Sequence, residues 1–191
     1  MFSFHATKVF KTIEGGAVCY HEDSLEQRLK DLKNFGIHGP EEVAYVGGNA
    51  KMNEFQAAMG LCNLRRIGGD IAARKAVHEA YMAELSGLPI GLTAEQPGVE
   101  SNYAYFPAVF ESREIRDAVC AALAEAGVYA RKYFYPLIND FECYRDQFDS
   151  SLTPVAKRLA DGVVTLPMYS DLSPEDVALI CRIIREVLTH E

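Results

Sequence analysis

The final helix-forming stretch constrains the fold of this chain most. Val177, Ile180, Cys181, Ile184, Val187 and Leu188 recur at three- and four-residue intervals, the clearest period in the sequence. A helix with that spacing carries one continuous apolar stripe, which must be covered by another layer. The residues before it offer such layers. Residues 103–110 are aromatic and β-branched enough for a strand. Ser112 can cap a helix carrying Ile115, Val119, Ala122, Leu123 and Ala126, and Gly127 can end it. Residues 128–134 form a second strand candidate. Thr153-Pro154 and Ser173-Pro174 each place an N-cap residue before a proline at the first helical position. The C-terminal part therefore reads as a small α/β layer.

The N-terminal part is less regular. Gly15-Gly16 precedes a short apolar run over 17–20 that reads as a buried strand. Ser24 and Gln27 have capping-box spacing, and Leu25, Leu29 and Leu32 then share a helical face. Residues 34–49 are glycine-rich and contain Pro40, so they read as a long loop of the kind that is often functional. A helix is expected from about residue 53, with Phe55, Met59 and Cys62 on one stripe. Gly68-Gly69 breaks the pattern before a second helix with Arg74, His78, Tyr81, Leu85 and Leu88 on one face. Pro89, Gly91, Pro97 and Gly98 mark a change of domain.

Composition excludes several classes. A chain of 191 residues can bury a substantial core, about 70% of its unfolded surface. Its net charge of −8 disfavours nucleic-acid binding, which needs a clustered basic face, but leaves room for a few local cations on a phosphate. Cys19, Cys62, Cys120, Cys143 and Cys181 are odd in number and form no CxxC pair. That pattern suits reduced thiols in a cytoplasm rather than a disulfide framework or a zinc site. No signal peptide and no membrane-spanning run is expected. The histidines form no HExxH pair, and neither a GxSxG elbow nor a Walker lysine is present.

The chemistry concentrates near the start, in Ser3-Phe4-His5-Ala6-Thr7-Lys8, with Glu14-Gly15-Gly16 at a fixed spacing. A lysine that bonds a carbonyl must supply a neutral amine, which burial and nearby positive charge favour. This run resembles the Schiff-base lysine segment of the DegT/DnrJ/EryC1/StrS family of sugar aminotransferases. The resemblance implies that Lys8 carries pyridoxal 5'-phosphate (PLP) and that Ser3 helps bind its phosphate. His5 reads equally as a neighbour of the cofactor and as a structural histidine.

Two further blocks agree. Residues 47–60, GGNAKMNEFQAAMG, resemble the family pattern G-x-N-x-[RK]-M-x-E-x-Q-A-A-x-G. By that resemblance Asn49 reaches the PLP phosphate of the other subunit in a homodimer with shared active sites. Lys51 stands where many members carry arginine. Residues 130–137, ARKYFYPL, resemble the segment that ends in Y-x-P-L, with Ile138 in place of a frequent histidine. Arg131 or Lys132 could pair with a diphosphate, and Tyr133 and Tyr135 could stack or hydrogen-bond. The same residues would also suit a strand with aromatics in a core and cations in water.

The resemblance implies an α/β fold, the C-terminal half of a fold-type I PLP-dependent transferase. Residues 1–80 would be the end of the large PLP-binding domain and 81–191 the small C-terminal domain. In the family the lysine lies mid-chain, so a lysine at position 8 makes the sequence read as a fragment, incomplete and poorly active alone. The implied reaction moves an amino group from L-glutamate to a nucleotide-linked keto sugar, preferably a dTDP-4-keto-6-deoxyhexose, in cell-surface polysaccharide or deoxysugar biosynthesis. A truncated domain that folds and dimerises without activity is the alternative from another class. A dehydratase of the family is disfavoured, because those members replace the lysine by histidine.

Overall fold

The computed structural model describes residues 1–94 and 96–189, so His190 lies outside the described residues. The chain divides into two compact units, Met1–Gly68 and Gly69–Glu191.

In the N-terminal unit, β1 (Phe2–Ser3) pairs antiparallel with β2 (Gly16–Ala17), and Ser3 stands opposite Gly16. The apolar run at 17–20 is not a buried strand: Val18 and Tyr20 are exposed. An apolar run becomes buried only where a second layer covers it, and this ribbon has just two strands. Helix α1 spans Leu25–Lys33. The expected capping box is not made. Ser24 is itself helical at φ −59°, ψ −22°, whereas a capping residue needs an extended backbone. Gln27 instead donates to Asp31 at 2.7 Å.

Residues 34–49 fold back as an irregular hairpin rather than a structureless loop. Asn34 bridges Asn49, and Ile37 bridges Val43. Gly47 is required by a close approach, since a Cβ there would stand 2.3 Å from the Gly36 nitrogen and 2.6 Å from the Leu32 oxygen. Helix α2 (Glu54–Leu64) starts with a true capping box between Asn53 and Gln56.

Helix α3 spans Ile67–Leu85, so Gly68-Gly69 sits inside its first turn and the break falls at Arg65-Arg66. Glycine costs about 1 kcal/mol per helical position. Burial of Val77, Tyr81 and Leu85 further along the helix offsets that. Leu88 lies beyond the helix end.

The C-terminal unit is built on a three-stranded antiparallel sheet. β3 (Gly91–Leu92) and β5 (Val163–Leu166) flank β4 (Phe106–Val109), with Phe106 opposite Leu166 and Val109 opposite Val163. β4 is shorter than the expected strand because Tyr103 adopts φ +52°, outside the extended region. Helix α4 (Arg113–Glu125) begins at Ser112, whose hydroxyl accepts from the Ile115 amide as expected. Helix α5 (Pro154–Gly162) leads into β5, and α6 (Pro174–Thr189) closes the unit. The stripe of α6 is buried as the spacing requires, with Val177, Ile180, Cys181 and Ile184 packed among Leu85, Phe106, Val119, Leu123 and Leu166.

Residues 128–134 are not a strand. Among the described residues only Arg131 pairs, exchanging hydrogen bonds of 3.2 and 2.7 Å with Thr165. The Tyr133 and Tyr135 amides then donate to Arg131 and Lys132 carbonyls, so local turns consume the groups a strand would need.

Candidate active site

Lys8 lies in the segment that joins β1 to β2. Hydrogen bonds across its base fix that segment: Phe4 N donates to Gly15 O at 2.8 Å and Thr12 N to Phe4 O at 2.9 Å. The Lys8 amide donates to His5 O at 2.9 Å, which makes a turn that holds the half-buried lysine. His5 faces two ways. Its Nδ1 lies 2.9 Å from the Thr7 hydroxyl, and its Nε2 lies 3.3 Å from a Glu14 carboxylate oxygen. Ser3 is close in the chain and in space, its Oγ 3.4 Å from the His5 amide.

The segment rests on α2. Thr12 is 2% exposed, donates to Glu14 O at 2.8 Å, and faces Gly60, where a Cβ would meet its methyl group at 2.9 Å. Asn63 donates to Lys11 O at 2.9 Å. Ile13 adopts φ +69°, a strained conformation for a β-branched residue, two positions before Gly15.

Asn49 is exposed at the end of the 34–49 hairpin, and its Oδ1 accepts from the Lys51 amide at 3.4 Å. Lys51 does not point away from this hairpin. Its ammonium donates to Asn34 at 2.6 Å and lies 4.6 Å from the Phe35 ring centre. At the hairpin base, buried Asp31 accepts from His38 Nδ1 at 2.8 Å. That bond holds the Asp31 carboxyl below the usual range and raises the His38 imidazole.

Arg131, Tyr133 and Tyr135 are brought together in the C-terminal unit. Residues 131–136 and Phe141 line a recess of about 280 Å³. Arg131 is exposed, and its guanidinium carbon lies 5.8 Å from the Tyr133 ring centre. Lys132, the other cation named for the diphosphate, is committed to Asp117, which its bond holds below the ordinary carboxylate range. Tyr135 lies across α4, with Arg116 at 4.6 Å and Arg113 at 5.3 Å from its ring centre. A larger cavity of about 780 Å³ lies between α3 and residues 93–94, 96 and 99–107, and its lining among the described residues contains none of the sequence-predicted site residues.

Sequence reasoning missed Arg116 and Asp117. A signal existed. Arg116, Val119 and Leu123 fall at i, i+3 and i+7, so an arginine stands on the apolar stripe of α4, and all three are buried.

A small α/β unit and a lysine-bearing turn in one chain are the parts of a C-terminal half of a fold-type I PLP-dependent transferase. Residues 1–185 match the DegT/DnrJ/EryC1/StrS aminotransferase family, and the chain belongs to it. It is 34% identical to dTDP-4-amino-4,6-dideoxy-D-glucose transaminase of Shigella dysenteriae, over 98% of this chain and 52% of the relative. Among solved structures it resembles DesI determined with its TDP-sugar product, at 34% identity and TM-score 0.88, covering 98% of this chain and 49% of that one. It also resembles Streptococcus pneumoniae Spr1654 in its PLP form, at 27% identity and TM-score 0.89, covering 99% and 51%. The chain thus spans about half the length of the relatives it matches. Among the described residues, no helix is long and apolar enough to cross a membrane.

Proposed function

We propose that this chain carries the lysine half of a PLP-dependent aminotransferase that acts on a nucleotide-linked keto sugar, with L-glutamate as amino donor. The observation that carries the reading is the Lys8 turn. It holds a half-buried lysine above two backbone hydrogen bonds, five residues after a serine whose hydroxyl lies 3.4 Å from the His5 amide. An amine for an aldehyde, and hydroxyl and amide donors for a phosphate, are the groups PLP requires, so the residues present fit it.

In this reading Lys8 Nζ holds the cofactor and carries a proton during the reaction, while Ser3 Oγ and Asn49 Nδ2 donate to its phosphate, Asn49 across a homodimer. Bound PLP supplies the electron sink that lets an amino group move between carbon skeletons. Arg131, Tyr133 and Tyr135 receive the nucleotide sugar. A dTDP-4-keto-6-deoxyhexose is favoured by the relatives named for dTDP and TDP sugars. Deoxysugar or surface-polysaccharide synthesis is the context.

The test incubates the protein with PLP, reduces it with borohydride and maps the peptides by mass. Label on Lys8 that is lost in Lys8→Ala is expected. Label spread over surface lysines at equal yield would reject the reading and favour a folded domain without activity. The chain alone is expected to label weakly and to turn over glutamate poorly.

A further inference from the structure

Arg116 poses a physical problem. It is fully buried in α4, at 0% exposure, on a stripe otherwise apolar. Its Nη1 donates to Ala160 O at 3.2 Å and its Nε to Asp117 at 2.7 Å, but its Nη2 is buried without a hydrogen-bond partner among the described residues. An apolar side chain of similar volume would avoid that desolvation cost. Packing alone therefore does not account for an arginine here.

What the arginine touches suggests its use. Its guanidinium lies against the Tyr135 ring at 4.6 Å, and Arg113, one turn earlier on the same helix, lies 5.3 Å from that ring. Asp117 accepts from both Arg116 and Lys132. Helix α4 thus fixes two side chains of a segment that, among the described residues, has only one strand-like pairing of its own, at Arg131.

We infer that Arg116 and Asp117 are positioning residues: they hold Tyr135 and Lys132 so that the 131–136 recess is shaped for a nucleoside diphosphate before it arrives. This rests on the reading of that recess as the nucleotide-sugar platform. Arg116 sets the plane of Tyr135 from below. Asp117 anchors Lys132 and leaves Arg131 as the cation available to the diphosphate. Preorganisation of this kind raises affinity by removing the cost of ordering side chains on binding.

The test is a double-mutant cycle on binding of dTDP to the 191-residue protein, read by calorimetry well below the melting temperature. Tyr135→Ala, Arg131→Ala and Arg116→Met are each expected to weaken dTDP by about tenfold, the scale of one well-placed contact. The Arg116→Met, Tyr135→Ala double variant should be no weaker than Tyr135→Ala alone, because Arg116 acts through that ring. A purely structural arginine would lower the melting temperature and leave the affinity of the folded protein unchanged, or would add to Tyr135→Ala in full; either result overturns the inference. If Arg116→Met does not fold, Asp117→Asn, which changes a part-exposed group, is paired instead with Lys132→Ala, the side chain it anchors: weaker dTDP binding that does not add to Lys132→Ala supports the inference, and unchanged affinity or full additivity overturns it. If dTDP fails to bind the native protein, or Arg131→Ala and Tyr135→Ala leave it unaffected, the platform reading falls and this inference with it. If those two variants weaken binding while Arg116→Met and Asp117→Asn do not, only the positioning role falls.

Discussion

The two units of this chain bury their apolar residues very differently. Among the described residues, the buried apolar side chains of the C-terminal unit run from Val77 to Ile184, and all but Ala160 and Val163 join into one core. In the N-terminal unit only Val9 is buried among the large apolar side chains described, and its other buried side chains are polar, Thr12 and Asp31. Meanwhile Phe55 is 84% and Leu61 63% exposed on α2. One unit is held by a core. The other is held by backbone hydrogen bonds, close glycine contacts and a few polar side chains, and it carries the lysine. Networks of that kind position groups accurately but contribute little net stability per bond, about 1 kcal/mol. The lysine unit should therefore open more readily than the α/β unit.

The largest test of that difference uses the thiols. Cys19 and Cys62 are exposed in the N-terminal unit, whereas Cys181 is buried in the core with its pKa pushed up to about 12 by burial. In a native-state thiol-labelling time course, Cys181 should react at least about 1,000-fold more slowly than either, because it needs global opening. Comparable rates would mean that the C-terminal core is not cooperative.

Truncation comes next. Leu123→Ala should cost about 2–5 kcal/mol in denaturant unfolding, since Leu123 is fully buried against α6 and the sheet. Phe55→Ala should cost under about 0.5 kcal/mol in the same measurement. A large loss at Phe55 would show that something covers α2 in solution. Gly47→Ala should cost about 1–3 kcal/mol, because the added Cβ meets backbone that cannot move aside. It should weaken amide protection around Gly36 and Ala44 and leave α6 unchanged.

The smallest effect is a pH window in the 34–49 hairpin. His38 is raised by its bond to Asp31, so its stabilisation is complete below about pH 6.5 and is lost as pH rises through its higher folded value. Asp31 is lowered by the same bond, so its stabilisation is complete above about pH 3.9 and is lost as pH falls through its lower folded value. Protection of the Ala44 amide, its exchange relative to the intrinsic rate at each pH, should be greatest between those limits. His38→Ala should flatten the alkaline side and weaken the acid side, where only the smaller contribution of the Gln27 bond to Asp31 remains.

The fold was most legible where a periodic apolar stripe met a core. The stripe of α6, the Ser112 cap and the stop at Gly127 follow from local rules that tertiary contacts reinforce. The errors fall where local signals lacked that support. Residues 17–20 look like a buried strand but have no second layer. Residues 128–134 have strand composition, yet turns at Tyr133 and Tyr135 take their hydrogen bonds. Gly68-Gly69 looks like a break, but burial further along α3 carries the helix through it. At the candidate site, Lys8, Ser3 and Asn49 stood out as members of motifs. Arg116 did not, because a single arginine on a helix reads as a surface charge until its neighbours are known.

By itself the sequence determined the family, the lysine-bearing segment and the α/β character of the C-terminal unit, because motif spacing and periodicity are properties of the chain. Only the tertiary structure decided which of two adjacent cations is engaged, Lys132 with Asp117, and that Tyr135 rests on a buried arginine. Those choices depend on what α4 presents to residues 131–136, as with Asp117 and Lys132, which stand 15 positions apart in the chain. Long-range juxtaposition of that kind is fixed by packing, and no local pattern encodes it.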